Sequence, residues 1–134
     1  MITAVDSSVL IAIVQGEPSA ADWVRTLASA RSQGRLVCCE VVYAEVAAGF
    51  DTQQALDQTL AKLGIEFEPI QEAASWCASQ VFTAYRQNKG PRQHMIPDFL
   101  IAAHAQTQAD RLAAIDRGYL RQYFATLPLL QPTP

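Results

Sequence analysis

Short continuous apolar runs along the chain alternate with segments whose apolar residues recur every three to four positions. Ile2-Thr3-Ala4-Val5 is apolar and β-branched and stops at Asp6-Ser7-Ser8. That pattern predicts a buried strand entering a helix, because Asp and Ser side chains accept from the unpaired N–H groups at a helix start. Val9 to Val14 continues as a short helix ending near Gly16. Ser19 opens a second helix to about Ser32, with Trp23, Val24 and Leu27 facing inward. Leu36 to Cys39 predicts a second buried strand. Val41 to Phe50 and Thr52 to Leu63 predict helices, the latter closed by Gly64. Ile65 to Ile70 reads as a strand, and Pro69 at its end places it on an edge. Glu72 to Asn88 predicts a long helix ending in Lys89-Gly90-Pro91. Pro97-Asp98 opens a very apolar helix to about Gln108. Leu112 to Ile115 predicts a strand that stops at Asp116-Arg117-Gly118, and Leu127 to Leu130 a last strand.

Short apolar strands separated by helices argue a parallel sheet covered on both faces. The expected fold is a single α/β domain, a three-layer α/β/α sandwich with a short parallel sheet. With 134 residues, one such domain has a substantial core without staples. No repeat, linker or low-complexity segment interrupts it. In such sheets ligands bind beyond the carboxyl ends of the strands, where the strand order reverses. Strand ends are therefore where chemistry is to be sought.

Composition narrows the chemistry. Half the residues are hydrophobic and 17% are charged, which excludes a disordered chain. Net charge is -3, so nucleic acid cannot be held by bulk positive charge; a local basic patch or a bound cation would be needed. Cys38, Cys39 and Cys77 form neither a disulfide framework nor a zinc motif and read as buried thiols in a reducing compartment. No basic segment precedes the first apolar run, so no signal peptide is expected. The apolar run Val9 to Val14 is far short of the ~20 residues a membrane helix needs. A soluble, cytoplasmic protein is expected.

Two predicted strands end in an acid: Asp6 and Asp116. In a parallel sheet both lie on one rim and can be neighbours. Each has a structural reading, Asp6 as a helix cap and Asp116 as a turn residue. Asp98 falls in the first turn of its helix, where the helix dipole favours an acid, yet Ile101, Ala102 and Ala105 continue its stripe as apolar residues. Glu45 is the only charged residue between Val41 and Phe50, with Val41, Val42, Ala48 and Gly49 as its helical neighbours, so it too is expected in an apolar stripe. Glu40 competes with it, as a cap or a rim acid. Carboxylates converging on one rim repel each other, and a divalent cation relieves that. All-oxygen ligands select Mg²⁺ or Mn²⁺, which suits phosphoryl displacement without a nucleophilic side chain. His94 and His104 look incidental: His104, six positions after Asp98, faces away from that stripe.

The segments V-D-S-S-V-L-I-A at Val5 to Ala12, V-V-Y-A-E-V at Val41 to Val46, P-D-F-L-I-A-A-H-A at Pro97 to Ala105 and L-A-A-I-D-R-G-Y at Leu112 to Tyr119 together resemble a PIN domain, specifically the VapC-type toxin ribonucleases of toxin–antitoxin modules. They follow the family's order and span nearly the whole chain. The resemblance implies a Mg²⁺- or Mn²⁺-dependent endoribonuclease with Asp6, Glu45, Asp98 and Asp116 as its acidic site. Asp6 and Asp98 would carry most of the metal binding, with Ser7 or Ser8 in the small polar position after the first acid. It also implies a separate antitoxin chain and a homodimer. Trp23, Trp76 and Tyr43 are candidate interface anchors, although a Trp at helical spacing more often belongs to a core. One position departs from the pattern: relatives often carry Thr or Ser two residues before the last acid, where this chain has Ala114.

RNA must still approach an acidic protein. Arg86, Lys89 and Arg92 precede Asp98 without an intervening acid, and Arg117 and Arg121 follow Asp116. These are the candidate phosphate contacts. Two other readings compete. A haloacid-dehalogenase-type hydrolase needs an Asp two positions after the first, where this chain has Ser8. An inactive or regulatory PIN-like binding module would use the same acids to hold a partner or an ion.

Overall fold

The computed structural model describes residues 1–88, 95–116 and 118–133. Its elements are β1 (Ile2–Val5), α1 (Ser7–Val14), α2 (Ala20–Gln33), β2 (Arg35–Cys38), α3 (Glu40–Ala47), α4 (Gln53–Leu63), β3 (Ile65–Phe67), α5 (Glu72–Gln87), α6 (Met95–Gln108), β4 (Arg111–Ala113), α7 (Tyr119–Tyr123) and β5 (Leu129–Leu130). The strands form one sheet in the order β3-β2-β1-β4-β5, and every pairing is parallel. The expected α/β architecture holds, with β3 on an edge as Pro69 suggested.

The strand order places the site. From β1 the chain winds outward to β2 and β3, then crosses back through α5 and α6 to β4 on the other side of β1. The order therefore reverses between β1 and β4, and the crevice there opens at the carboxyl ends of those strands. β1 is central and its residues Thr3, Ala4 and Val5 are buried. Leu36, Val37 and Cys38 of β2 and Leu112 and Ala113 of β4 flank it in the same core.

Local chemistry explains most boundaries. Asp6 is in extended conformation and caps α1 by accepting from the Ser8 N–H at 3.3 Å. Thr52 caps α4 through the Ala55 N–H at 3.1 Å. Gly64 ends that helix in the left-handed region, at φ 75°, where a Cβ would also stand 2.6 Å from the Arg31 Nε. α5 and α6 form an antiparallel pair: Gln71 N–H donates to Gln108 Oε1 at one end (2.8 Å), and Phe82 and Tyr85 meet Phe99 near the other.

Four expectations change, the first being that β3 ends at Phe67 and leaves Pro69 beyond it, where its missing N–H costs no ladder bond. Val24 is exposed, not inward: Trp23 and Leu27, four apart, define the buried stripe of α2, and Val24 lies about 100° round the helix from Trp23. The fourth strand stops at Ala113 because its partner β5 is only two residues long and offers no further ladder. A short helix, α7, stands where none was predicted. No helix among the described residues is long and apolar enough to cross a membrane.

Candidate active site

Asp6 sits where β1 becomes α1. Its backbone N–H still joins the β ladder, donating to Ala113 O at 2.9 Å, while its carboxylate turns to cap α1. The residue is only 2% exposed. The Ser8 hydroxyl donates to Asp6 Oδ2 and accepts from the Ile115 N–H at 3.4 Å. Ser8 therefore ties the end of β1 to the loop after β4 and so to Asp116. Ser7, also buried, donates its hydroxyl to Glu45 Oε1 at 3.0 Å. The consecutive serines thus link the first strand end to two of the other predicted acids.

Glu45 reaches this rim from the exposed side of α3, not from within an apolar stripe. Val42 and Val46 are the buried residues of that helix. Ala44, Ala48 and Gly49 beside Glu45 are small enough to stand in water, so their apolar character did not mark a core face. Glu40 follows the carboxyl end of β2, and its Oε1 accepts from the Ile70 N–H at 2.9 Å and secures the segment after β3.

Asp98 is half-buried in the first turn of α6. The foot of α6 is fixed beside the start of β1, where Asp110 N–H donates to Ile2 O at 2.8 Å and Ile2 N–H to Asp110 Oδ2 at 2.6 Å. From Gln108, ten residues of helix rise roughly 15 Å to Asp98. From Ile2, four residues of strand rise about 13 Å to Asp6. Both acids therefore lie toward the carboxyl ends of the strands.

Asp116 follows β4 on that rim. Its Oδ1 accepts from the Gly118 N–H at 3.0 Å and its Oδ2 from Arg121 Nε. These donors, the Gly118 amide first, hold its carboxyl below the usual carboxylate value. Ala114 is fully buried, so the hydroxyl that relatives often carry there is absent from the core edge.

The donor set is all oxygen. Among the described residues no three His, Cys, Asp or Glu side chains stand together as a complete metal cage. Zinc would need such a cage, whereas Mg²⁺ keeps several waters and is held by one or two carboxylates plus substrate phosphate. An all-oxygen donor set suits the second kind of ion.

Of the predicted phosphate contacts, Lys89, Arg92 and Arg117 lie outside the described residues. Arg86 is exposed near the end of α5, with its guanidinium 5.9 Å from the Phe82 ring centre. The antiparallel pairing of α5 and α6 brings that end to the Asp98 end of α6. Arg121 is exposed on α7 and paired with Asp116. Trp23 is a core residue, Trp76 is 67% exposed, and Tyr43 packs edge-on to Phe67 while donating to Asp57 Oδ1 at 2.7 Å. Cys38 and Cys39 are buried as expected but Cys77 is only half-buried; burial, with the neighbouring Cys39 as a lesser cause, pushes Cys38 up to about 12.

A second polar cluster went unpredicted. His104 is 1% exposed, and its Nε2 lies 3.2 Å from Glu68 Oε1. Gln108 Nε2 donates to the same oxygen at 3.1 Å and to Pro69 O at 3.0 Å. This network fastens the segment after β3 to α6. Nothing local announces it, since Glu68 and His104 are 36 positions apart.

Comparison with known proteins agrees with the fold. The family model described as PIN domain matches residues 3–125. Ribonuclease VapC10 of Mycobacterium tuberculosis is 32% identical over 112 residues, covering 84% of this chain and 80% of its own. Among solved structures, VapBC2 from Rickettsia felis bound to a promoter DNA fragment superposes with a TM-score of 0.76 at 18% identity, covering 96% of this chain and 97% of its own. VapBC-1 from nontypeable Haemophilus influenzae superposes at 0.70 with 20% identity, covering 96% of each chain.

Proposed function

The chain belongs to the PIN-domain family, and from that premise we propose that it is an endoribonuclease, the toxin of a toxin–antitoxin pair, acting with Mg²⁺ or Mn²⁺. The observation that carries this reading is Asp6: a carboxylate almost without exposure, at the end of the central strand, beside the crevice where the strand order reverses. The relative named a ribonuclease supports the RNA substrate. Solved VapBC structures of the same fold support an antitoxin partner.

Asp6 and Asp98 are the residues assigned to the cation. When bound, the ion would supply charge neutralisation at the cleaved phosphate and a water of lowered pKa. Asp6 is pre-positioned by its cap and by the Ser8 hydroxyl. Glu45, steered by Ser7, offers an exposed carboxylate that can orient a water or take its proton. Asp116 adds charge to the same rim. Arg86 and Arg121 face the phosphates from either side. For the antitoxin and a homodimer, the exposed Trp76 and a hollow of about 240 Å³ walled by Ala78, Phe82, Ile96, Phe99 and Leu100 provide apolar seats.

The test is to express the chain and its Asp6→Asn variant and to sequence the 5′ ends of the RNA fragments that accumulate. New 5′ ends with the wild type alone support the reading. Equal fragmentation by both proteins would end it, and cation binding without turnover on any RNA would move the assignment to a regulatory binding module.

A further inference from the structure

A second polar cavity lies between α2 and the segment after β5. Its volume is about 290 Å³, and its walls include Arg25, Ser29 and Gln33 of α2, Arg111 at the start of β4, and Gln131 and Thr133 after β5. None of the rim acids lines it.

Arg111 gives the cavity its character. It stands opposite Thr3 in the β1–β4 ladder, and its Nε donates to the Thr3 hydroxyl at 2.9 Å. Its Nη2 donates to Gln33 Oε1 at 3.0 Å. Thr3 is fully buried and Arg111 half-buried. A strand and a helix thus hold the guanidinium plane in one orientation before any ligand arrives, which lowers the cost of ordering it on binding.

These contacts leave most of the arginine unused. A guanidinium stays charged and carries five N–H donors; Nε and one donor of Nη2 are engaged, which leaves three. Both acceptors are neutral oxygens, and among the described residues Arg111 forms no ion pair. No buried side-chain nitrogen among them lacks a partner, so the spare donors are open to the cavity. A half-buried charge has lost part of its hydration, and an anion at those donors restores what was lost. Gln33 adds its amide N–H groups, since its oxygen is taken by Arg111. Asp22 also borders the cavity, but it is ion-paired with Arg25. That pair is neutral as a unit, so Arg111 sets the sign of the site.

We propose that this cavity binds a small phosphate-bearing molecule, with its phosphate on the free fork of Arg111, at a site separate from the rim acids. The spare Arg111 donors, the Gln33 amide and the Ser29 and Thr133 hydroxyls are more than the two oxygens of a carboxylate can use, and they suit the three oxygens of a phosphomonoester. The volume is at the small end for ligand cavities, which fits a phosphate with a short organic group. The inference does not depend on the nuclease reading.

The test is a titration of the full chain in EDTA with glycerol 3-phosphate, followed by ¹H–¹⁵N NMR of the backbone amides, with sodium acetate at equal ionic strength as the comparison. The variants are Arg111→Met, Ser29→Glu and Arg121→Ala. Ser29 is exposed on α2, so its replacement leaves the core intact.

The amides of Ser29, Gln33, Arg111 and Thr133 should shift saturably with glycerol 3-phosphate, while those of Asp6 and Asp116 stay in place. Arg111→Met should weaken binding about tenfold, the worth of one charge-assisted hydrogen bond. Ser29→Glu should weaken it about fivefold, by setting a carboxylate a few ångströms from the phosphate in a solvated site. Arg121→Ala should leave it within about twofold. Saturable shifts at Asp116 together with a loss in Arg121→Ala would put the phosphate on the rim and overturn the proposal. An equal response to acetate would overturn it as well, by reducing the effect to general screening. Undiminished binding in Ser29→Glu would do the same, and that variant decides the matter if circular dichroism shows Arg111→Met to be unfolded.

Discussion

Asp6 has two jobs that one substitution can pull apart. As the cap of α1 it accepts the Ser8 N–H at 3.3 Å, a service Asn performs as well as Asp. As an assigned cation ligand it must be charged. Without divalent cation, Asp6→Asn should therefore unfold within about 1 kcal/mol of the wild type, whereas Asp6→Ala should lose the cap and cost ~1 kcal/mol or more. Adding Mn²⁺ to 100 times its Kd stabilises a protein that binds it only when folded by about 2.7 kcal/mol. Near its midpoint a chain of 134 residues has an unfolding entropy of roughly 0.28 kcal/mol/K. The wild-type Tm should then rise by about 10 °C, and the Asn variant's should not. Thermal melts of both proteins in EDTA and in Mn²⁺ check this directly. A wild-type midpoint that ignores Mn²⁺, or an equal rise in Asp6→Asn, would refute the assignment of Asp6 to the cation even if RNA cleavage were observed.

Three further outcomes test the packing around the site. Thr52→Ala removes the side-chain cap of α4 and should lower unfolding free energy by ~1 kcal/mol in urea, with RNA cleavage unchanged. Phe99→Ala empties the centre of the Phe82, Tyr85, Tyr123 and Phe124 cluster and should cost about 3–5 kcal/mol by the same measurement. A loss under 1 kcal/mol would show that cluster to be loose. His104 is held below its ordinary value of 6.5 chiefly by burial, opposed by Glu68 and Glu40. The unfolded chain thus takes up the proton first, so stability should be full above about pH 6.5 and fall as pH drops below it. Denaturant melts across that range should show the slope in the wild type and a flatter one in His104→Gln. A ring titrating above 6.5 by NMR would reverse the sign.

Much of the fold was legible because its strands are buried on both faces. Ile2 to Val5 and Leu36 to Cys39 need no periodicity to be recognised; an unbroken apolar run bounded by cap and turn residues suffices. Helix starts with a chemical mark were equally plain, as at Asp6 and Thr52. α7 escaped because five residues carry no stripe, and its one marker, the left-handed Gly118, also reads as a simple turn. Glu45 was found for an incomplete reason. Its apolar neighbours suggested a core face, but Ala48 and Gly49 are small residues that cost little in water, and only Val42 and Val46 needed burial. The choice between Glu40 and Glu45 turned on long-range partners, Ile70 for one and Ser7 for the other.

The roles of the acids are where sequence runs out, for a physical reason. An aspartate at a strand end satisfies the local rules equally well as a cap, a metal ligand or an arginine anchor, because each requires only a short side chain with two acceptor oxygens. What separates the roles is the sign of the charge that meets those oxygens, and that partner comes from elsewhere in the fold. Asp6 meets a hydroxyl and a helix start; Asp116 meets Arg121.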